Sequence, residues 1–425
     1  MAKAVITNRI YLDSNIEVER NLLTELTYKI PAYRPELPPK IITTARVVND
    51  RLITIPSGRM DLIPEGYEIH DRRVEVPAEF PEFKFELRAS QKLVHDAVNS
   101  DCFINAFTSW GKTFTGLAIA AKLGMKTLII VHTLALRDQW AEEVRKVFGF
   151  EPSIYGSGSK DTSALITIGN IQSLTRAKRG TFDKMFGLIL VDECHHIPST
   201  TFSNLVDRSH AKYKIGLSAS DRRKDGLHIL FQDYFSPKTF KPPKENYMVP
   251  SVHRISIPIR FQDYGAWHER LSALDHDDEY HKMLAMIARS YATKGHKVLV
   301  LSSRTNILAQ ASKYDNSSLV IDGDTKEREA ILDEVLHGKD YHTLYGSSNI
   351  FAEGVSANKF SCLVLGTPMN NEPLLEQFIG RVIRESPDKL SPIIVDPQLI
   401  GHTVQNQQQL RLGYYLRMGY KVTNI

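Results

Sequence analysis

Cysteine is scarce in this 425-residue chain: Cys102, Cys194 and Cys362 are far apart and odd in number, with no Cys-x-x-Cys pair. They suggest neither a disulfide framework nor a zinc site. Long apolar runs are missing as well. No stretch approaches the roughly 20 residues of a membrane span and the N-terminus has no signal-peptide core, so the expectation is a cytoplasmic protein, in the host-cell cytoplasm if viral, with no membrane partner. Charge of one sign is also lacking. Lys and Arg number 53 against 49 Asp and Glu, a formal net charge of +4, which permits an anionic partner without demanding one. With 42% hydrophobic and 24% charged residues the composition is that of an ordinary globular protein, and the length predicts two or three domains.

What is present centres on Gly187-Leu188-Ile189-Leu190-Val191-Asp192-Glu193-Cys194-His195-His196. Four apolar residues read as a strand buried on both faces of a parallel sheet, and the acids fall at its carboxyl end, where ligands of open α/β sheets bind. Asp192 would hold Mg²⁺ through oxygen and Glu193 would take a proton from an attacking water. Alone, such a motif is more often a plain strand end. The cluster Asp192, Cys194, His195, His196 lacks the i, i+4 spacing of a helical transition-metal site. Upstream, the strand Cys102 to Ala106 runs into Phe107-Thr108-Ser109-Trp110-Gly111-Lys112-Thr113 and then the apolar helix Phe114 to Leu123. A strand, a loop ending in Gly-Lys-Thr and a helix present backbone N–H groups to polyphosphate. Lys112 would reach the β and γ phosphates, and the Thr113 hydroxyl would complete the Mg²⁺ shell. Ala106 and Ser109 stand where Gly is often found. Loop and acidic strand end together predict binding of a nucleoside triphosphate.

Residues 1–85 are proline-rich with short alternating runs, among them Ala45-Arg46-Val47-Val48 and Arg51-Leu52-Ile53-Thr54-Ile55 around the turn Asn49-Asp50. They predict a small accessory module with a β-hairpin. Arg34, Lys40, Arg46, Arg51 and Arg59 outnumber Glu36 and Asp50 there, which suits either phosphate contact or a solvated face. Alternating helices and apolar strands then define a doubly wound domain over 86–235, including Ser90 to Val98, Thr127 to Thr133, Leu134 to Phe148, Ala164 to Ile168 and Tyr213 to Ser220. Residues 236–249, rich in Pro and Lys, read as a linker.

A second α/β domain occupies 250–425. Strands are expected at Lys297 to Leu301, Ser318 to Ile321, His342 to Tyr345 and Ser361 to Gly366, and no Gly-Lys-Thr loop occurs. In Glu376-Gln377-Phe378-Ile379-Gly380-Arg381-Val382-Ile383-Arg384, the residues Gln377, Arg381 and Arg384 recur at three- and four-residue steps, on one helical face or its leading edge. Such guanidinium groups act either as arginine fingers on a γ-phosphate or as a solvated basic face. In 401–425, Arg411, Arg417 and Lys421 interleave with Tyr414, Tyr415 and Tyr420. That pattern can bind single strands, but a helix packed on the second domain is the favoured account.

Taken in order, these motifs resemble superfamily 2 helicases and translocases of the DExH type, over roughly 86–400. The resemblance implies two RecA-like doubly wound parallel-sheet domains in tandem, sharing one ATP with Mg²⁺. It implies that Arg88 and Gln91 read the adenine, that Ser109, Trp110, Gly111, Lys112 and Thr113 cradle the phosphates, and that Asp192 and Glu193 hold Mg²⁺ and activate water. Ser218, Ala219 and Ser220 would couple hydrolysis to motion. Glu353 and Gly354, in Phe351 to Ser356, would face the nucleotide, as would Gln377, Arg381 and Arg384. Thr133, Gln172 and Ser173, with Ser302, Arg304 and Asn349, would grip nucleic acid. Departures are Ser109, Ser220 where Thr is usual, Asp221 where Pro is usual, and Ser356 where Asp is usual. The stretch Ser218 to Gly226 and the Gln-x-x-Gly-Arg-x-x-Arg form are similar to the XPB-like and phage UvsW-like group, whose members remodel branched duplex DNA. The expected partner is therefore branched or forked DNA, engaged by a monomer that can work with other recombination or replication proteins. RNA, an ATP-dependent clamp, or a motor subunit of a nuclease complex stand as alternatives. With the hairpin as a wedge, deletion of residues 1–85 is expected to spare basal ATPase and lose branch processing.

Overall fold

A computed structural model describes residues 2–30, 38–107, 110–178, 180–196, 205–219, 227–243, 245, 247–352 and 358–425. Ser109, Ser220, Glu353 and Gly354 lie outside them, as does Arg34. Residues 1–243 pack as one compact unit and 244–425 as a second.

The first unit is built on an eight-stranded sheet ordered Ser159–Lys160, Ser153–Gly156, Ile166–Asn170, Thr127–Val131, Leu188–Val191, Tyr213–Ser218, Cys102–Asn105, Thr239–Phe240. Every pairing is parallel except the short terminal hairpin Ser153–Gly156 with Ser159–Lys160. Leu188–Val191 is wholly buried between two neighbours, which is why it carries no alternation. Thr239–Phe240, within the expected linker, adds an edge strand beside Cys102–Asn105.

The N-terminal residues form a second, five-stranded sheet ordered Arg46–Asn49, Leu52–Pro56, Arg9–Asp13, Lys3–Ile6, Glu68–Asp71. The expected hairpin is its first pair, and it projects Val47 and Val48 to solvent. This sheet shares a hydrophobic core with one face of the large sheet, through Ile10, Ile53 and Ile55 on one side and Phe103, Leu128 and Phe235 on the other. Buried polar pairs reinforce the seam. Arg9 meets Asp207 at 2.9 Å, Tyr28 donates to Asp233 at 2.8 Å, and Lys214 donates to Ser57 at 2.8 Å. Burial pulls the Lys214 ammonium down to about 8 against the pull of Asp101 and Asp207. Arg59 departs from the basic-face reading: it is buried, because Tyr28 and Asp233 draw its guanidinium inward while the exposed Asp61 holds its outer edge.

This seam changes the expected outcome of removing residues 1–85. The deletion takes away the partners of Asp207, Asp233 and Lys214 together, so it disturbs the large sheet as well as any substrate contact. A single change shows the same dependence. Arg9→Ala leaves Asp207 buried with, among the described residues, the exposed Arg46 at 3.3 Å as its remaining ion-pair partner, and the expected loss is about 3 kcal/mol, measured by urea unfolding. An unchanged midpoint would show that the pair contributes nothing net.

The second unit has a seven-stranded, all-parallel sheet ordered Ser318–Ile321, Thr343–Ser347, Val298–Ser302, Cys362–Leu365, Ile393–Ile400, Ser251–Arg260, Lys421–Asn424. The helix His402–Arg417 packs on it with Tyr414 and Tyr415 buried, and Arg411 makes a two-pronged pair with Asp396. Tyr420 is buried too, so the tail's aromatic residues serve packing.

Candidate nucleotide site and arginine helix

The phosphate-loop helix spans Lys112–Leu123 and is entered through Gly111 at φ 91°, a left-handed conformation that favours glycine. A Cβ at Gly111 would lie 2.5 Å from Gln91 Nε2. The reason is local. Gln91 Nε2 donates to Trp110 O at 2.8 Å, its Oε1 accepts the Arg88 N–H at 3.0 Å, and the Arg88 guanidinium also donates to Trp110 O. Trp110 is itself buried, with its indole N–H on Ser90 Oγ at 2.8 Å. Arg88, Gln91, Trp110 and Gly111 are thus brought together at the helix entrance. The first-turn N–H groups, including those of Lys112 and Thr113, have no intrahelical acceptor and are suited to an anion.

The acidic strand end is assembled beside it. Lys112 Nζ donates to Ala106 O at 3.2 Å and lies 3.3 Å from Glu193 Oε1. Glu193 sits at φ 43°, a sparsely populated conformation for a side-chain-bearing residue. Its Oε2 accepts the Ala219 N–H at 3.4 Å and lies 3.3 Å from His195 Nδ1, which shares a 2.7 Å hydrogen bond with Ser218 Oγ. Ser218 and Ala219 therefore touch the acidic motif from the neighbouring strand. Asp192 is buried, with Oδ1 accepting the Glu193 N–H at 2.9 Å and Oδ2 accepting the Trp140 indole N–H at 2.7 Å. Burial pushes the Asp192 carboxyl upward, as does the Glu193 carboxylate, while Trp140 and Lys112 pull it back.

Among the described residues no group of three or more His, Cys, Asp or Glu forms a metal cage. One carboxylate and the Thr113 hydroxyl are hard oxygen donors, a set that suits Mg²⁺ sharing its shell with water and phosphate oxygens.

In the second unit, the helix Glu372–Val382 carries Gln377, which is buried, and Arg381, which is half-buried. Arg384 departs from the expected helical face, because the helix stops at Val382. It is fixed instead by a backbone bridge to Tyr247, and its carbonyl accepts Lys389 Nζ at 2.8 Å. Of the expected grip residues, Gln172 and Asn349 are exposed and Ser173 and Arg304 half-buried. Thr133 caps the helix Leu134–Phe148, accepting the Leu136 N–H at 3.2 Å. Ser302 is fully buried, and its hydroxyl bonds the backbone of Arg304, so its side chain shapes the turn that presents Arg304. Trp140 and His195 gained no role from local sequence. Trp140 lies 52 positions from its carboxylate partner, a separation that periodicity does not report.

A parallel sheet with a lysine loop and an acidic strand end, followed by a second parallel sheet, is an arrangement suited to a nucleoside-triphosphate-driven motor, and its relatives are helicases. Residues 84–223 match the family described as "Type III restriction enzyme, res subunit", and residues 279–386 match "Helicase conserved C-terminal domain". The chain is 36% identical to "Probable helicase D10" of Escherichia phage T5, over 99% of this chain and 95% of that protein. It is 25% identical to "ATP-dependent DNA helicase uvsW" of Enterobacteria phage T4, covering 70% and 65%. The fold is similar to that of the Pyrococcus furiosus Hef helicase domain, with a TM-score of 0.52 at 14% identity over 78% of this chain and 98% of that one. The chain belongs to the superfamily 2 helicases, in the XPB- and UvsW-like group, and is an ATP-hydrolysing enzyme.

Proposed function

We propose that this helicase acts on DNA, at branched or forked duplexes, by coupling ATP hydrolysis to movement along one strand. The observation that supports the hydrolytic half of this reading most is the contact of Lys112, at a helix start, with Glu193 beside Asp192, just past the end of the strand Leu188–Val191. Lys112 has partners it can exchange: a triphosphate that draws its ammonium away frees the Glu193 carboxylate to accept a proton from water. Asp192 and Thr113 would hold Mg²⁺, which supplies charge neutralisation at the phosphates. Arg88 and Gln91 would read the base, and Arg381 and Arg384 would stabilise the charge that builds on the transferring phosphoryl group. Ser109, Ser220, Glu353 and Gly354, which lie outside the described residues, keep the roles the family resemblance implies. Gln172, Ser173, Arg304 and Asn349 would hold strand phosphates, with Thr133 and Ser302 shaping the turns around them.

The exposed hairpin tip, with Val47, Val48 and Arg51, is the part of the N-terminal sheet suited to contact a fork. Arg51→Glu is expected to lower the ratio of strand displacement to ATP turnover several-fold on forks, and little on single strands. Equal ratios on both substrates would remove the hairpin from the mechanism. Substrate class is tested by ATP turnover and strand displacement on four-way junctions, forks, blunt duplex and structured RNA. Stimulation greatest on junctions and forks is expected; greatest stimulation by RNA would overturn the assignment to DNA.

A further inference from the structure

Trp140 has no side-chain atom exposed, yet its polar edge is aimed at a carboxylate. Its indole N–H donates to Asp192 Oδ2 at 2.7 Å, and Oδ1 of the same carboxylate is held by the Glu193 N–H. The far edge of the ring lies against the phosphate-loop helix, where a Cβ added at Gly116 would come within 3.1 Å of Trp140 Cη2. One rigid bicyclic side chain therefore spans the gap between the helix that begins with Lys112 and the strand that ends at Asp192. It stands on a third element, the helix Leu134–Phe148, whose N-terminus is capped by Thr133.

The chemistry of this partner is informative. An indole N–H only donates and carries no charge, so it fixes the carboxylate's rotamer without competing with a cation for its charge. A lysine or arginine in the same place would neutralise the acid. We propose that Trp140 is a positioning residue for the metal-binding carboxylate, setting both the plane of Asp192 and its distance from the phosphate-loop helix. This rests on Asp192 being the Mg²⁺ ligand. Partners of this kind, which orient a ligand from behind, are worth about 10- to 100-fold in metal affinity.

The test uses the full chain with ADP and Mn²⁺ in place of Mg²⁺, reading free Mn²⁺ by electron paramagnetic resonance for the unaltered protein, Trp140→Phe and Asp192→Asn. Phenylalanine keeps a ring in the slot and removes the donor. The expected result is Mn²⁺ affinity of the ADP complex weakened about tenfold in Trp140→Phe and lost more completely in Asp192→Asn. ADP binding in EDTA serves as the control for an intact loop. If Asp192→Asn binds Mn²⁺ as tightly as the unaltered protein, the ligand assignment itself fails. If Asp192→Asn loses Mn²⁺ while Trp140→Phe retains full affinity, the ligand assignment stands and the positioning role is overturned. Should Trp140→Phe not fold, the indole N–H resonance of the unaltered protein decides, assigned by elimination with Trp267→Phe and Trp110→Phe. A downfield resonance that moves when Mg²⁺ is added to the ADP complex is expected. An indole resonance at the solvent-exposed position, unmoved by Mg²⁺, would overturn the proposal.

Discussion

Lys112→Ala is expected to lower ATP turnover by about 1,000-fold, the scale on which a single preorganised charge at a reacting phosphate acts. Among the described residues the ammonium meets Ala106 O and Glu193, so its removal deletes the charge that faces the acidic strand end. Two measurements separate the outcomes: steady-state phosphate release, and thermal melting to confirm the fold. Retained turnover in a folded variant would mean that the loop does not hold the triphosphate, and the roles given to Asp192, Glu193 and Thr113 would fall with it. Arginine at this position is not expected to rescue, because a planar fork cannot occupy the slot between a carbonyl and a carboxylate that a compact ammonium fills.

The second large effect belongs to the other unit. Arg384→Ala and Arg381→Ala are each expected to reduce kcat by about 1,000-fold, the lower end of what arginine fingers contribute, while ATP affinity changes little. A binding titration with a fluorescent ATP analogue beside single-turnover hydrolysis makes the distinction. Arg384 is the sharper test. Its backbone is anchored by the bridge to Tyr247 and by Lys389 on its carbonyl, so truncating its side chain leaves those anchors in place. Unaltered hydrolysis in both variants would return the pair to the status of a solvated basic face.

Much of the two large sheets was legible because parallel strands buried on both faces are short unbroken apolar runs, as in Leu188–Val191 and Val298–Ser302. The strand Ile393–Ile400 was not, since it contains Pro397, a residue without an N–H that argues against a central strand. Ser251–Arg260 and Lys421–Asn424 mix polar and apolar residues at or near the edge of the sheet. The lysine loop and acidic motif could be located from spacing, and the structure brings Lys112 within 3.3 Å of Glu193. What spacing could not supply were contacts between distant positions: Trp140 with Asp192, His195 with Ser218, and Arg9 with Asp207, which lie 198 positions apart. Arg384 shows a different limit. A three-residue step from Arg381 continues a helical face only while the helix continues, and Val382 ends it.

Gly58 shows what the shared core of the first unit demands. A Cβ there would come within 2.6 Å of the Gln232 carbonyl oxygen and 2.7 Å of that of Asp233, whose carbonyl already accepts the Gly58 N–H. Main chain lies on main chain, leaving no width for a methyl group. The tip formed by Asn49, Asp50 and Arg51 is exposed, so the accessory sheet can be refitted at its reach, for a different junction, while at Gly58 its footing has no room for a side chain.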